Sequence, residues 1–184
     1  MKNLKSTLII ILIASSMMVA SCKKTSTSTN STTSMGGNVT ATIGGLTFQS
    51  TSANIIKSTT GFPNITIQGA QADGSNVNIQ VTGLGAQYTP IVGTYSLYQG
   101  GVNSTNFVST ATYAPPVSGT TQKNYSSQGC DASLPTAGFV PNGTVTFTEI
   151  STTKIAGTFQ FNAAYISNCS DVKLITAGTF SKTF

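Results

Sequence analysis

The sequence predicts an all-β domain, an antiparallel β-sandwich or barrel of about ten strands, with no substantial helix after residues 1–21. Three observations carry that prediction. From residue 38 onward apolar residues recur with a period of two, the pattern of strands buried on one face. Between the runs stand Gly-Gly, Asp-Gly and Asn-Gly dipeptides, which supply the positive φ that tight hairpins need. No stretch long enough for a helix carries an apolar stripe with caps.

The strands follow in order. Val39, Ala41 and Ile43 alternate with threonines over 38–43, and Gly44-Gly45 turns the chain into 46–50. Next come 53–57 and 63–70, where Ile65 and Ile67 face one way. Asp73-Gly74 leads into 76–82, with Val77, Ile79 and Val81 on one face. Strands 93–99 and 106–113 flank Gln99-Gly100-Gly101. After Asn142-Gly143 the pattern returns over 143–150 and 153–165, the latter with Ile155, Phe159, Phe161 and Ala163 in phase. The last strand, 171–183, is expected to turn Val172, Leu174 and Phe180 inward together. The least regular stretch, 114–141, contains Pro115, Pro116, Gly119, Gly129, Pro135 and Gly138. It reads as a long loop with at most one strand, near 123–126.

Composition narrows the function classes. Charged residues are 7% of the 184, against about 25% in ordinary globular chains. Ser, Thr, Asn, Gln and Gly replace them. The net charge is +5, yet there is no arginine, and Lys57, Lys123, Lys154, Lys173 and Lys182 lie far apart. Nucleic-acid binding calls for clustered basic residues beside stacking aromatics, so no nucleic-acid partner is expected.

The first 22 residues have their own logic. Lys2 and Lys5 precede a short apolar run, Thr7 to Ile13, too short for a membrane span and suited to a secretory leader. Val19-Ala20-Ser21-Cys22 resembles the bacterial lipobox, which implies thioether lipidation of Cys22 and cleavage before it. Each buried CH₂ of acyl chain contributes about 0.8 kcal/mol, so two or three chains anchor stably. The tract over 22–37 has almost no apolar residue and reads as a tether, leaving 38–184 as one β domain. Cys22 is followed by Lys23-Lys24 rather than aspartate. The expected location is therefore the outer membrane, facing periplasm or cell surface, with the membrane as a partner through the anchor.

Gly93-Thr94-Tyr95, Gly157-Thr158-Phe159 and Gly178-Thr179-Phe180 share a Gly-Thr-aromatic core. With Ala41 to Gly45, Gly143 to Thr148 and Val172 to Phe180, their order resembles a family of small Bacteroidota lipoproteins that carry a domain of unknown function. The resemblance implies an all-β fold and an envelope location, and brings no catalytic residues. One departure is Phe48, where that family commonly has Trp; this chain has no Trp. In the motif itself, glycine permits close strand approach, threonine suits the solvated face, and the aromatic fills the core.

For chemistry the absences come first. Without histidine there is no Ser-His or Cys-His pair and no imidazole metal site, and no cofactor is indicated. No catalytic residue is assigned and no enzyme is expected. The acids are Asp73, in a turn, Glu149, at a strand end, and Asp131 and Asp171, each close behind a cysteine. If Cys130 and Cys169 join, Asp131 and Asp171 approach each other. Paired acids about 5–9 Å apart serve glycoside hydrolysis and clustered oxygens serve calcium, while the plain reading is two solvated loop acids. In an oxidising envelope the pair Cys130 and Cys169 implies a disulfide. Tyr95 and Tyr165 lie in phase with the core, whereas Tyr88, Tyr98 and Tyr125 sit near turns and are candidates for a sugar-stacking surface. The leading expectation is a monomeric, non-enzymatic binding or structural lipoprotein with a glycan or protein partner. The alternatives are a barrel carrying a lipid-like small molecule, and a calcium- or glycan-binding module.

Overall fold

Period-two alternation becomes eleven strands in the computed structural model, which describes residues 36–98, 105–131 and 139–184. They are β1 (Gly37–Ile43), β2 (Leu46–Gln49), β3 (Ser52–Ser58), β4 (Asn64–Ala70), β5 (Asn76–Gly83), β6 (Gly93–Ser96), β7 (Phe107–Ala114), β8 (Tyr125–Ser126), β9 (Gly143–Ile150), β10 (Lys154–Tyr165) and β11 (Asn168–Thr183). No described residue is helical. The leader, Cys22, most of the tether and the Gln99-Gly100-Gly101 turn lie outside the described residues. The 114–141 stretch contributes the two-residue β8, and Gly143, expected in a turn, opens β9.

All pairings are antiparallel, and their order is β2-β1-β11-β10-β8-β7-β5-β4-β3. The long strand β10 organises the fold. Residues 155–161 pair with β9, which pairs with β6, while Ala164 and Tyr165 pair with β8. The strands thus form two layers over one apolar core. Ile55, Ile65, Ile67, Val77, Ile79 and Val81 come from β3–β5. Val39, Val145, Phe147, Ile155, Phe159, Phe161, Ile175 and Phe180 come from β1 and β9–β11. The layers meet closely where Gly69 of β4 faces Val39 of β1; a Cβ at 69 would lie 2.7 Å from the Val39 Cβ. The sheet is not closed into a barrel, so the small-molecule-carrier alternative loses its enclosure, and the architecture is sandwich-like.

The Gly-Thr-aromatic motifs interlock. In the β10–β11 ladder Gly157 pairs with Phe180, Thr158 with Thr179 and Phe159 with Gly178, so each glycine makes room for the other motif's ring. A Cβ on Gly178 would lie 2.4 Å from Phe159 Cδ2, and one on Gly157 2.5 Å from Phe180 Cζ. Phe147 of β9 is paired between Gly157 and Gly93, which brings the third motif into the same band. The threonines fall on the opposite face as one row: Thr40, Thr179, Thr158, Thr146 and Thr94 on five adjacent strands. Within it Thr40 pairs its hydroxyl with that of Thr179 at 2.8 Å, and Thr94 with Thr146 at 2.9 Å.

One expectation is corrected. Val172 and Leu174 do not share the phase of Phe180; they lie on the outer face, 42% and 55% exposed, while Ile175 points inward. A β-bulge separates the two phases. Phe159 faces Gly178 but Phe161 faces Ile175, so Gln160 opposes both Thr176 and Ala177. Ala177 takes the extra position at φ 48°, the sole non-glycine with positive φ among the described residues. The inserted residue reverses which side each later residue faces.

Candidate functional site

β1 stops pairing at Ile43, opposite Ile175, so residues 168–174 of β11 run past it and the β10–β11 hairpin projects as a tip. A single carboxylate organises this tip. Asp171 Oδ2 accepts the Tyr125 hydroxyl at 2.8 Å and the Lys123 ammonium at 2.7 Å, while the Lys173 ammonium lies 3.9 Å from Oδ1. Both lysines also lie over tyrosine rings: Lys123 is 5.1 Å from the Tyr165 centroid and Lys173 5.6 Å from that of Tyr125. The i, i+2 spacings Lys123/Tyr125 and Asp171/Lys173 put each pair on one side of its chain, and the β8–β10–β11 pairing brings the two chains together.

The Cys130–Cys169 disulfide braces the tip, with 5.3 Å between the Cα atoms. Ile166 N–H donates to Asn124 O, and Asp131 N–H to Ile166 O, so residues 124–131 are stitched along the hairpin turn. Immediately beside them Ser127 is fully buried: its hydroxyl accepts the Ala111 N–H and donates to Leu97 O. Gln128 adds amide bonds to Leu97 O and Ser109 O. These side chains replace strand pairing where β8 ends.

The electrostatics favour fixed charges. Its hydrogen bond from Lys123 holds the Asp171 carboxyl below the usual range, and the same bond raises the Lys123 ammonium. Burial, then the bond to Asp171, pushes the Tyr125 phenol up to about 12. None of these groups exchanges a proton near neutral pH, so the cluster holds geometry rather than performing acid–base work. Because Lys123 is half exposed, solvent screens its ion pair, which contributes little to stability.

The sequence candidates separate. Cys130 and Cys169 are joined as expected. Tyr125, expected near a turn on a stacking surface, is instead 2% exposed and packed against Tyr113 and Tyr165. Tyr88 is half-buried with its ring edge-on to Phe107, and Tyr98 is half-buried after β6, so the three rings form no common platform. Asp171 is engaged with Lys123 and Tyr125; as a calcium ligand it would have to give up both donors. Asp131 is exposed, and among the described residues no group of three His, Cys, Asp or Glu side chains is placed to hold a metal ion. Asp73, as its turn position implied, accepts the Ser75 backbone N–H and hydroxyl. Glu149 pairs with Lys154 at 2.8 Å. Sequence reasoning missed Lys123, Lys173 and Tyr165; apart from the Lys173–Asp171 pair their contacts join residues 40 or more apart, and only the i, i+2 spacing hinted at a shared side.

The family of a domain of unknown function, DUF6252, matches residues 36–183. Neither the curated proteins nor the solved structures contain a match.

Proposed function

We propose, for a chain that belongs to the DUF6252 family, that it is a lipid-anchored protein of the bacterial outer membrane whose β domain is a non-enzymatic binding module. The observation that carries this reading is the polarity of the domain. The chain enters β1 at Gly37, which pairs with Lys182 at one end of β11; the disulfide-braced tip lies at the other end. Sixteen residues of strand separate these poles, about 50 Å at 3.3 Å per residue. With acyl chains on Cys22, a Ser/Thr-rich tether would join the domain at Gly37, at the end of β11 remote from the tip. The proton-inert Lys123–Asp171–Tyr125 cluster and the filled core support binding over catalysis.

The test is metabolic labelling with a palmitate analogue, followed by membrane fractionation, in wild type and Cys22→Ala. Label on the wild type alone, with the variant released from the membrane fraction, is the expected result. Equal labelling of both chains ends the reading.

A further inference from the structure

The bulge in β11 opens a second feature, on the outer face and away from the tip cluster. A cleft of about 130 Å³ lies there, lined by Asn142, Gln160, Asn162, Leu174 and Thr176 over the backbone of Gly143 and Ile175. Its shape follows from the register. Asn162 and Leu174 are direct cross-strand partners, so their side chains rise side by side. Gln160 and Thr176 stand two residues further along on the same face, where the bulge spreads the ladder. Asn142 forms the third wall, its carbonyl accepting the Asn162 N–H at 2.9 Å.

Two properties of this cleft bear on what it could hold. First, its polar side chains are uncommitted. Along the threonine row hydroxyls pair with one another across strands. In the cleft the side chains of Asn142, Gln160, Asn162 and Thr176 make no hydrogen bond to any described group. Three carboxamides and a hydroxyl, each able to donate and accept, therefore converge around one small volume. Second, no lining residue is charged, and Leu174 supplies an apolar wall. A charged ligand would lose hydration there without meeting a counter-charge. A ligand with hydroxyls on its rim and a C–H face matches both the amides and the leucine.

We propose that this cleft binds one neutral pyranose ring of a glycan. The inference deepens the reading of the domain as a binding module and rests on that part of it, not on the anchor. The volume is well below the roughly 300–1,000 Å³ of ordinary ligand sites, which limits the occupant to a single ring. Affinity for an isolated sugar is then weak, with Kd on the order of 1 mM.

The experiment uses the full chain in detergent micelles, titrated with methyl glucopyranoside, methyl mannopyranoside and N-acetylglucosamine, with glucuronate as the charged comparison. Side-chain amide resonances of Asn142, Gln160 and Asn162 are followed by nuclear magnetic resonance. At least one neutral sugar is expected to shift them saturably. In Gln160→Ala/Asn162→Ala, with an unchanged melting midpoint, binding should weaken by about tenfold or more. Thr158→Ala, one position along the same face, should bind like the parent. The proposal is overturned if no neutral sugar gives a saturable shift, if the double variant binds as the parent does, or if glucuronate is preferred. Sugar-induced shifts confined to Lys123, Tyr165 or Lys173 would also overturn it while leaving the binding-module reading intact.

Discussion

The interlocked glycines and phenyl rings make a quantitative demand on the core. In Gly178→Ala the new methyl would sit 2.4, 2.5 and 2.6 Å from three ring atoms of Phe159, more than 1 Å inside the normal carbon contact of about 3.5–4.0 Å. The ring has little room to withdraw, since Phe159 is 3% exposed and packs against Phe161 and Phe180 with centroids 6.3 and 6.4 Å away. Overpacking of this kind costs about 1–3 kcal/mol, against which replacing a strand glycine returns about 0.5–1 kcal/mol of backbone entropy. The expected net loss is about 1 kcal/mol, or about 2–4 °C in melting midpoint for a domain of this size. Gly157→Ala should be worse, because its methyl meets the Thr146 backbone oxygen at 2.1 Å, and backbone cannot swing aside. The decisive measurement is a double-mutant cycle with Phe159→Ala, read by urea unfolding and far-ultraviolet circular dichroism, because the chain has no Trp to report. Once the ring is gone, Gly178→Ala should cost almost nothing, giving a coupling of about 1–2 kcal/mol. Additivity within about 0.5 kcal/mol would refute the interlock.

Four further outcomes are expected. Reducing Cys130–Cys169 opens a loop spanning a separation of 39 residues and should lower stability by roughly 4 kcal/mol in the chain-entropy model; intact mass, with and without reductant, verifies the bond first. Ser127→Ala should cost about 2–3 kcal/mol, because it strands the buried Ala111 N–H while Leu97 O keeps the Gln128 amide; a midpoint equal to the parent's would count against the latch. Asp171 has a folded pKa below its unfolded value of about 3.9, so its stabilisation is present above that pH and is lost as pH falls through the folded value. Asp171→Asn should therefore reduce the slope of the acid limb of the stability profile, to which Asp73 contributes in the same direction. Tyr125, raised to about 12, favours the protonated phenol, so its contribution is complete below pH of about 10 and lost as pH rises through 12; burial raises Tyr95 and Tyr113 as well, so ultraviolet titration should show a late-ionising group of tyrosines that loses one member in Tyr125→Phe.

The strands were legible because burial on one face imposes a period of two, as with Val77, Ile79 and Val81, all fully buried in the order alternation implies. Alternation fails where the backbone breaks phase. Val172 and Leu174 match Phe180 in parity, and only the one-residue bulge at Ala177 turns them outward, a break of phase that alternation itself cannot announce. The disulfide was legible from chemistry, since the oxidising compartment expected from the leader leaves two cysteines few alternatives. The tip cluster was not. Lys123 and Asp171 are 48 residues apart, and their meeting depends on β8, a strand of two residues, reaching the end of β10. Tyr125 was misplaced for the same reason: its neighbours in sequence are loop-like, but its neighbours in space are Tyr113 and Tyr165.

A chain with so few charges must also keep its sheet edges from pairing with other chains, the usual remedy being lysines along the edge. Here the remedy comes from the opposite layer. β3 is an edge strand, and the carbonyl of Ile55 lies on its open side. Lys182 of β11, only 3% exposed, donates its ammonium to that carbonyl at 3.1 Å and lies 5.0 Å from the Phe184 ring. Its acceptor is thus an edge carbonyl, and the buried ammonium stands where an incoming strand would have to dock. Beyond β8 the Ser127 and Gln128 side chains do the equivalent for Leu97, Ser109 and Ala111 without any charge. Occupying edge groups individually leaves the lining of the Gln160–Leu174 cleft free of charge, with Glu149 and Lys154 paired to each other further along β10. That neutrality is the condition under which the Gln160–Leu174 cleft can select an uncharged ligand, because no fixed charge among its lining residues competes for it.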